Sequence, residues 1–372
     1  RYAVLAEYGG MHGLTAQDGI VTKFPVENTS AASVMSYGYY PDFAKLSAYH
    51  GGYYAVLQSI VKSIALTGRY QDIRLTLQEF FPSIKGEPER MGLPFAALLG
   101  AFEVMKNLNI PAIGGKDSMS GSWHDIDVPP TLVSFAVNTV DSQKVVSREF
   151  KQAGSKILIT RIEHDADGMV DFEQFQEVMQ AYRALHDAGQ ILAASAVNER
   201  GLYFTVADMA LGNGLAYALN PDLGDGFSPG DIVFEVANDL QFNEELFEEI
   251  GQTAEVTDYG QLIENRSKAV NTLYPNILEN EALQIPAFEK RELPVLPALS
   301  KNVLIPVLDG ATGEYDLQAA FETAGFEVKQ HVIITDTHEA YLASLDALAT
   351  KIEQASVFAV PHGDYYGGVI KN

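Results

Sequence analysis

The chain has no cysteine, which excludes disulfides, thiolate metal sites and a cysteine nucleophile within these residues. Basic residues are scarce: 25 Lys and Arg stand against 49 Asp and Glu, giving a formal net charge of −24. A field of that sign opposes phosphate-backbone contacts, so nucleic acid is not expected as a partner. No apolar run approaches the length of a membrane span, and the first residues lack the charged start and apolar stretch of a secretory signal. The expectation is a cytoplasmic protein with no membrane partner. Arg1 stands inside a segment, Arg1 to Ala6, that already reads as ordered. We therefore expect a piece of something larger.

With 372 residues the chain can hold two or three domains with substantial cores. Alternation in Ile20 to Phe24 and in Ser33 to Tyr37 predicts half-buried strands joined by a turn at Glu27 to Thr29. From Ala48 the period changes. Tyr53, Val56, Leu57, Ile60, Val61 and Ile64 share one face of a helix that Gly68 can terminate, which places Gln58 and Lys62 on a solvated polar face. Arg74 to Phe81 follows, then a loop marked by Pro82, Gly86 and Pro88. In the next helix Phe95, Leu98, Leu99, Phe102, Met105 and Leu108 form the expected buried stripe, with Pro94 near its start and Asn109 at its end.

After that helix comes Pro111 to Trp123, which contains Gly114-Gly115-Lys116-Asp117-Ser118-Met119-Ser120. Glycines let backbone approach a ligand, Lys116 offers a mobile point charge for phosphate, and Asp117 is a hard oxygen donor suited to Mg²⁺. The hydroxyls of Ser118 and Ser120 suit either. A surface turn with a Lys-Asp pair is the competing reading, and the spacing is not that of a Walker A loop. Pro129-Pro130 and an apolar strand, Thr131 to Val137, complete a first α/β domain.

Composition then shifts. Strands at Lys156 to Thr160, Ile191 to Val197 and Ile232 to Val236, with helices at Asp171 to Gly189 and Leu202 to Leu211, form a second unit. Phe227 to Asp231 reads as a turn and the acidic run Asn243 to Ile250 as a helix. Residues 281–300, with Pro286, Pro294 and Pro297, read as a linker. Two β-α-β steps follow from Val303 to Val360, short of a complete doubly wound domain. The expected organisation is thus α/β and α+β multidomain, divided 1–145, 150–280, 281–300 and 301–372.

Three blocks carry a resemblance. Pro94 to Phe102, the Gly114 to Ser122 loop and Asp127 to Phe135 resemble phosphoribosylformylglycinamidine synthase in its large single-chain form, and Ser47 to Gly52 and Leu77 to Phe81 extend the likeness. The resemblance implies aminoimidazole ribonucleotide synthetase-like N- and C-terminal domains, here the second of two tandem halves, followed by the start of a class I glutamine amidotransferase-like domain. It implies an ATP-dependent ligase of de novo purine biosynthesis that converts formylglycinamide ribonucleotide to the amidine with glutamine-derived ammonia. ATP and Mg²⁺ are the implied cofactors. The first synthetase half and the rest of the amidotransferase domain are the implied partners. On this resemblance Gly114, Gly115, Lys116, Asp117, Ser118 and Ser120 bind nucleotide phosphate, with Asp117 as a metal ligand.

The sequence also departs from that family. Gln58 and Lys62 stand where many members carry Glu and Asn ligands for Mg²⁺, and Ala196 stands where another carboxylate is expected, with Arg200 in place of a glycine. An ammonium cannot ligate Mg²⁺ and an amide does so weakly. Pro361 to Gly368 resembles the glycine-rich oxyanion loop of the amidotransferase, through Gly363 and Gly367, but the nucleophilic cysteine is missing. No complete catalytic set is therefore expected, and these residues alone are expected to be inactive. A non-catalytic structural half, its nucleotide site vestigial or permanently occupied, is the alternative.

Overall fold

A computed structural model describes residues 2–26, 28–224, 228–256, 259–260, 263–264, 268 and 301–363. It divides into two units, residues 1–276 and 277–372.

The first unit opens with β1 (Tyr8–Gly9), β2 (Thr15–Ala16), β3 (Gly19–Lys23), β4 (Ala31–Gly38) and the short α1 (Pro41–Leu46). Next come α2 (Ala48–Thr67), β5 (Arg74–Phe80), α3 (Pro88–Leu108), β6 (Ala112–Lys116), β7 (Ser122–Trp123), β8 (Ile126–Asp127) and β9 (Thr131–Asp141). Five of these strands form a sheet in the order β3-β4-β9-β5-β6, antiparallel except for the parallel pair β5-β6. After it come β10 (Lys156–Ile159), α4 (Phe172–Asp187), β11 (Ile191–Ala196), α5 (Leu202–Leu211), β12 (Leu215–Leu219), β13 (Ile232–Val236) and β14 (Glu248–Glu255). Their strands make an antiparallel sheet, β11-β13-β10-β14-β12.

Helix α2 is the centre of this unit. Ser47 caps its N-terminus by accepting from the His50 amide, and Gly68, in the left-handed region at φ 70°, ends it. Every residue of α2 except Tyr49 and His50 is buried, because the helix packs on β4 and β9, on α3, and on β11 of the second sheet. Gln58 and Lys62 are therefore not on a solvated face: both are buried. A one-sided apolar stripe fails as a guide when a helix has neighbours all round.

Helix α3 corrects the sequence in the opposite sense. Phe95, Leu98, Leu99 and Phe102, expected inside, are exposed, whereas Ala97, Gly100, Ala101, Val104 and Leu108 are buried. The reason is the α2-α3 crossing. A Cβ on Gly52 would collide with the Ala97 carbonyl, and one on Gly100 with the Tyr49 carbonyl, so at the point of crossing the inward face has room only for small residues. The helix also starts six residues before Pro94, at Pro88.

The acidic run differs too: Glu248–Glu255 is strand β14, not the end of a helix, with Phe247 and Ile250 buried. Its partners β10 and β12 lie far away in sequence, and that long-range pairing overrides the local pattern. The turn expected at 227–231 is only partly visible, since Phe227 lies outside the described residues; Asp231 N–H donates to Ser228 O.

The second unit carries β15 (Asn302–Val307), α6 (Glu314–Thr323), β16 (Glu327–Val332), α7 (His338–Ile352) and β17 (Val357–Phe358). Its sheet, β16-β15-β17, is parallel throughout, as two β-α-β steps require. The linker expected at 281–300 lies outside the described residues. Among the described residues no helix is long and apolar enough to cross a membrane.

Candidate functional site

The Gly114 to Ser120 stretch begins as a strand rather than a loop. Gly114, Gly115 and Lys116 belong to β6, an edge strand exposed along its whole length. Neither glycine has positive φ. Gly115 is required for a different reason: a Cβ there would stand 2.6 Å from the Leu77 carbonyl of β5. Gly114 faces open space. Lys116 pairs with Gln78 in the ladder, and the chain then leaves the sheet.

Two backbone bonds hold the segment that follows. Phe81 N–H donates to Ser118 O at 2.8 Å and Gly121 N–H to Phe81 O at 2.9 Å, while the Ser118 and Ser120 hydroxyls share a bond of 2.7 Å. Among the described residues the Lys116 ammonium and the Asp117 carboxylate make no hydrogen bond or ion pair, so both are available to a ligand. Beneath them is Glu79, 5% exposed, whose carboxyl is pushed up to about 7 by burial and then by the charge of Asp117.

Gln58 belongs to the same end of the sheet. Tyr39 N–H donates to its Oε1 at 3.2 Å just beyond β4, and Tyr39 Oη meets Thr131 Oγ1 at 3.1 Å at the start of β9, opposite Phe80. The other amide atom, Nε2, is buried without a partner among the described residues.

One turn along α2, Lys62 enters a second and closed group of charges. Burial lowers its pKa, Asp18 and Glu199 oppose that shift, and Arg148 adds to it. Its ammonium lies 4.4 Å from the centre of the Tyr37 ring. Asp18 accepts from Ala196 N–H at 2.8 Å and lies 3.6 Å from Arg148, both carboxylate and guanidinium being buried. Arg148 donates to Ser195 Oγ at 2.6 Å and to Ala16 O at 3.0 Å, and stands 3.8 Å from Asp208, which Arg200 approaches at 3.4 Å.

The structure thus brings Lys62, Ala196 and Arg200 to one cluster, while Lys116, Asp117, Ser118 and Ser120 lie at the sheet edge. Sequence reasoning missed Asp18, Arg148, Ser195 and Asp208. No local pattern could have singled them out, because the bond from Ala196 to Asp18 spans 178 positions. Mg²⁺ does not fit the positions of Gln58, Lys62 and Ala196: an ammonium occupies one, a methyl another, and the nearby carboxylate is already engaged by a backbone N–H and a guanidinium. Among the described residues no group of three or more acidic or histidine side chains could hold a metal. At the sheet edge Asp117 with Glu79 beside it suits the one or two carboxylates through which Mg²⁺ is commonly held together with phosphate.

In the second unit Ala311 bridges to Gly363, and the N–H groups of Thr312 and Gly313 donate to His362 O. His362 Nδ1 lies 3.1 Å from Thr312 Oγ1, a loop contact. Gly367 lies outside the described residues.

The two sheets, with the exposed Gly114 to Ser120 stretch at one edge and helices packed between them, define a mixed α/β protein. Its sequence is similar to that of the phosphoribosylformylglycinamidine synthase subunit PurL of Thermoplasma volcanium, at 23% identity over 240 residues. The match takes in 59% of this chain and 30% of that relative, so the chain spans under a third of its length. No family model matches the chain. Among solved structures, Thermotoga maritima PurL complexed with AMPPCP aligns over 68% of this chain and 39% of its own, at 17% identity and a TM-score of 0.49. A HypE-HypF complex aligns over 66% and 90%, at 11% identity and a TM-score of 0.45.

Proposed function

We propose that the chain is the second synthetase half of a phosphoribosylformylglycinamidine synthase, continuing into an amidotransferase-like unit as in the single-chain form. The observation that carries this is the loop after β6: it lies within a chain whose sequence is similar to PurL, and it leaves Lys116 and Asp117 free of protein partners among the described residues. The parallel sheet of the second unit supports the single-chain form.

The reaction is an amide-to-amidine conversion of formylglycinamide ribonucleotide. The substrate's amide oxygen attacks the terminal phosphorus of ATP, ADP leaves, and glutamine-derived ammonia displaces the phosphate. Lys116 neutralises charge on the transferring phosphoryl, and the Ser118 and Ser120 hydroxyls donate to its oxygens. Asp117 is the residue that would hold Mg²⁺, which supplies further charge neutralisation when bound.

Catalysis requires a partner half. The outer face of the first sheet exposes Ile20, Met35, Tyr37 and Phe80, an apolar surface suited to that partner. These residues alone are therefore inactive in amidine formation on this proposal.

Equilibrium binding of a non-hydrolysable ATP analogue with Mg²⁺, to the chain and to its Lys116→Ala variant, tests the nucleotide site. Binding that Lys116→Ala weakens at least tenfold is the expected result; absent or indifferent binding overturns it. The closed cluster around Asp18, Lys62 and Arg148 favours a second reading, in which this half is structural and its nucleotide site is not catalytic.

A further inference from the structure

At the end of the first sheet opposite the Gly114 to Ser120 loop there is a cavity of about 420 Å³. Thr29 before β4, Arg69 after α2, Asn138 and Thr139 of β9, Lys144, and Asp187 at the end of α4 line it.

The cavity has donors to spare. Asn138 is only 4% exposed; its Oδ1 accepts from Thr139 N–H at 2.7 Å, and among the described residues its NH₂ group donates to no protein atom. Arg69 and Lys144 approach Asp187 at 3.6 and 3.8 Å, beyond hydrogen-bonding distance, and neither side chain donates to another described residue. Asp187 is shared further with Arg183, at 3.4 Å. The second carboxylate, Asp141, is held below its usual range by hydrogen bonds from Gln143 N–H and the Ser30 hydroxyl, with Lys144 and Lys23 adding to the effect. Four cations thus surround two carboxylates, in a chain whose net charge is −24.

A guanidinium fork, an ammonium and an amide NH₂ converging on one space form a donor set for an oxyanion. Phosphate alone would leave most of the space unfilled, and the hydroxyls of Thr29 and Thr139 suit a polar body beside it. We propose that this cavity binds a phosphate monoester with a small hydroxylated body, its phosphate held by Arg69, Lys144 and Asn138. The proposal stands apart from the nucleotide site, which lies at the other end of the sheet.

Titration calorimetry on the full chain with glycerol 3-phosphate and with inorganic phosphate tests it, against sodium chloride at equal ionic strength. The ester is expected to bind more tightly than inorganic phosphate. The double variant Arg69→Gln with Lys144→Gln should weaken ester binding at least tenfold. Asn138→Asp, which keeps the acceptor for Thr139 N–H but adds a negative charge, should do the same. Lys45→Gln, a surface lysine paired with Asp42, should leave it unchanged. Circular dichroism verifies that each variant is folded, and the double variant alters only partly exposed side chains. Absence of binding, binding indifferent to the double variant, or a signal reproduced by sodium chloride would overturn the site. Equal affinity for ester and inorganic phosphate would overturn the organic body.

Discussion

The backbone N–H of Ala196 donates to the carboxylate of Asp18 over 2.8 Å, and the same carboxylate stands 3.6 Å from the buried guanidinium of Arg148. Strand β11 of the second sheet is thereby tied to the segment that leads into β3 of the first.

Removing Asp18 exposes how much depends on that contact. Asp18→Ala leaves Arg148 without its nearest carboxylate and Ala196 N–H without an acceptor. Stripping one partner from a buried pair costs about 3–5 kcal/mol. Urea unfolding should show a loss of that order; a loss under 1 kcal/mol would mean that the cluster is wet and compensated.

Lys62 should make stability pH-dependent in the alkaline range. Its pKa is lowered in the folded state, chiefly by burial, so the unfolded chain binds more protons between that lowered value and the ordinary lysine value of about 10.4. Stability from this group therefore rises as pH rises through that window. Lys62→Met should remove the rise, measured as the difference in melting temperature between wild type and variant from pH 7 to 10.

Glu79 acts at lower pH and with the opposite slope. Its folded pKa of about 7, raised by burial and by Asp117, exceeds the unfolded value of about 4.3. The native state then holds the extra proton across that interval, so its stability falls as pH rises from about 4 to about 7. Glu79→Gln cannot titrate. Its melting temperature should gain on that of wild type between pH 5 and pH 8, and parallel curves would refute the assignment.

The crossing of α2 and α3 predicts an unusual contrast between small and large residues. Gly100→Ala adds one methyl against the Tyr49 carbonyl and should cost about 1–3 kcal/mol, the range for overpacking. Phe102→Ser removes an aromatic ring from the exposed face and should change stability by no more than about 0.5 kcal/mol. Chemical denaturation of both variants decides it.

Much of the local structure is legible before folding. Gly68 ends α2 as its residue type suggests, and the limits of α5 at Leu202 and Leu211 follow from its apolar run. Strands β3 and β4 form where alternation predicts them, but which face turns to solvent is not legible: Ile20, Met35 and Tyr37 are exposed while Ser36 is buried. Facing is less legible, because it depends on what arrives from elsewhere: α3 turns its large side chains outward since two glycines bring its backbone against α2. Strand β14 exists because β10 and β12 offer it hydrogen bonds, which a window of eight residues does not contain.

The stretch Gly114 to Ser120 stands out in the sequence because its residue types and neighbouring blocks are contiguous, but that Gly114 to Lys116 form an edge strand does not. Gln58, Lys62 and Ala196 stand out there too, as departures from the pattern of the resembled family. Only the tertiary structure decided what surrounds Lys62 and Ala196. Burial of α2 between two sheets removes water from Lys62, and the fold carries Asp18, Arg148 and Glu199 to it from distant segments. Charges separated by well over a hundred positions interact only when folding closes the distance between them and lowers the dielectric around them.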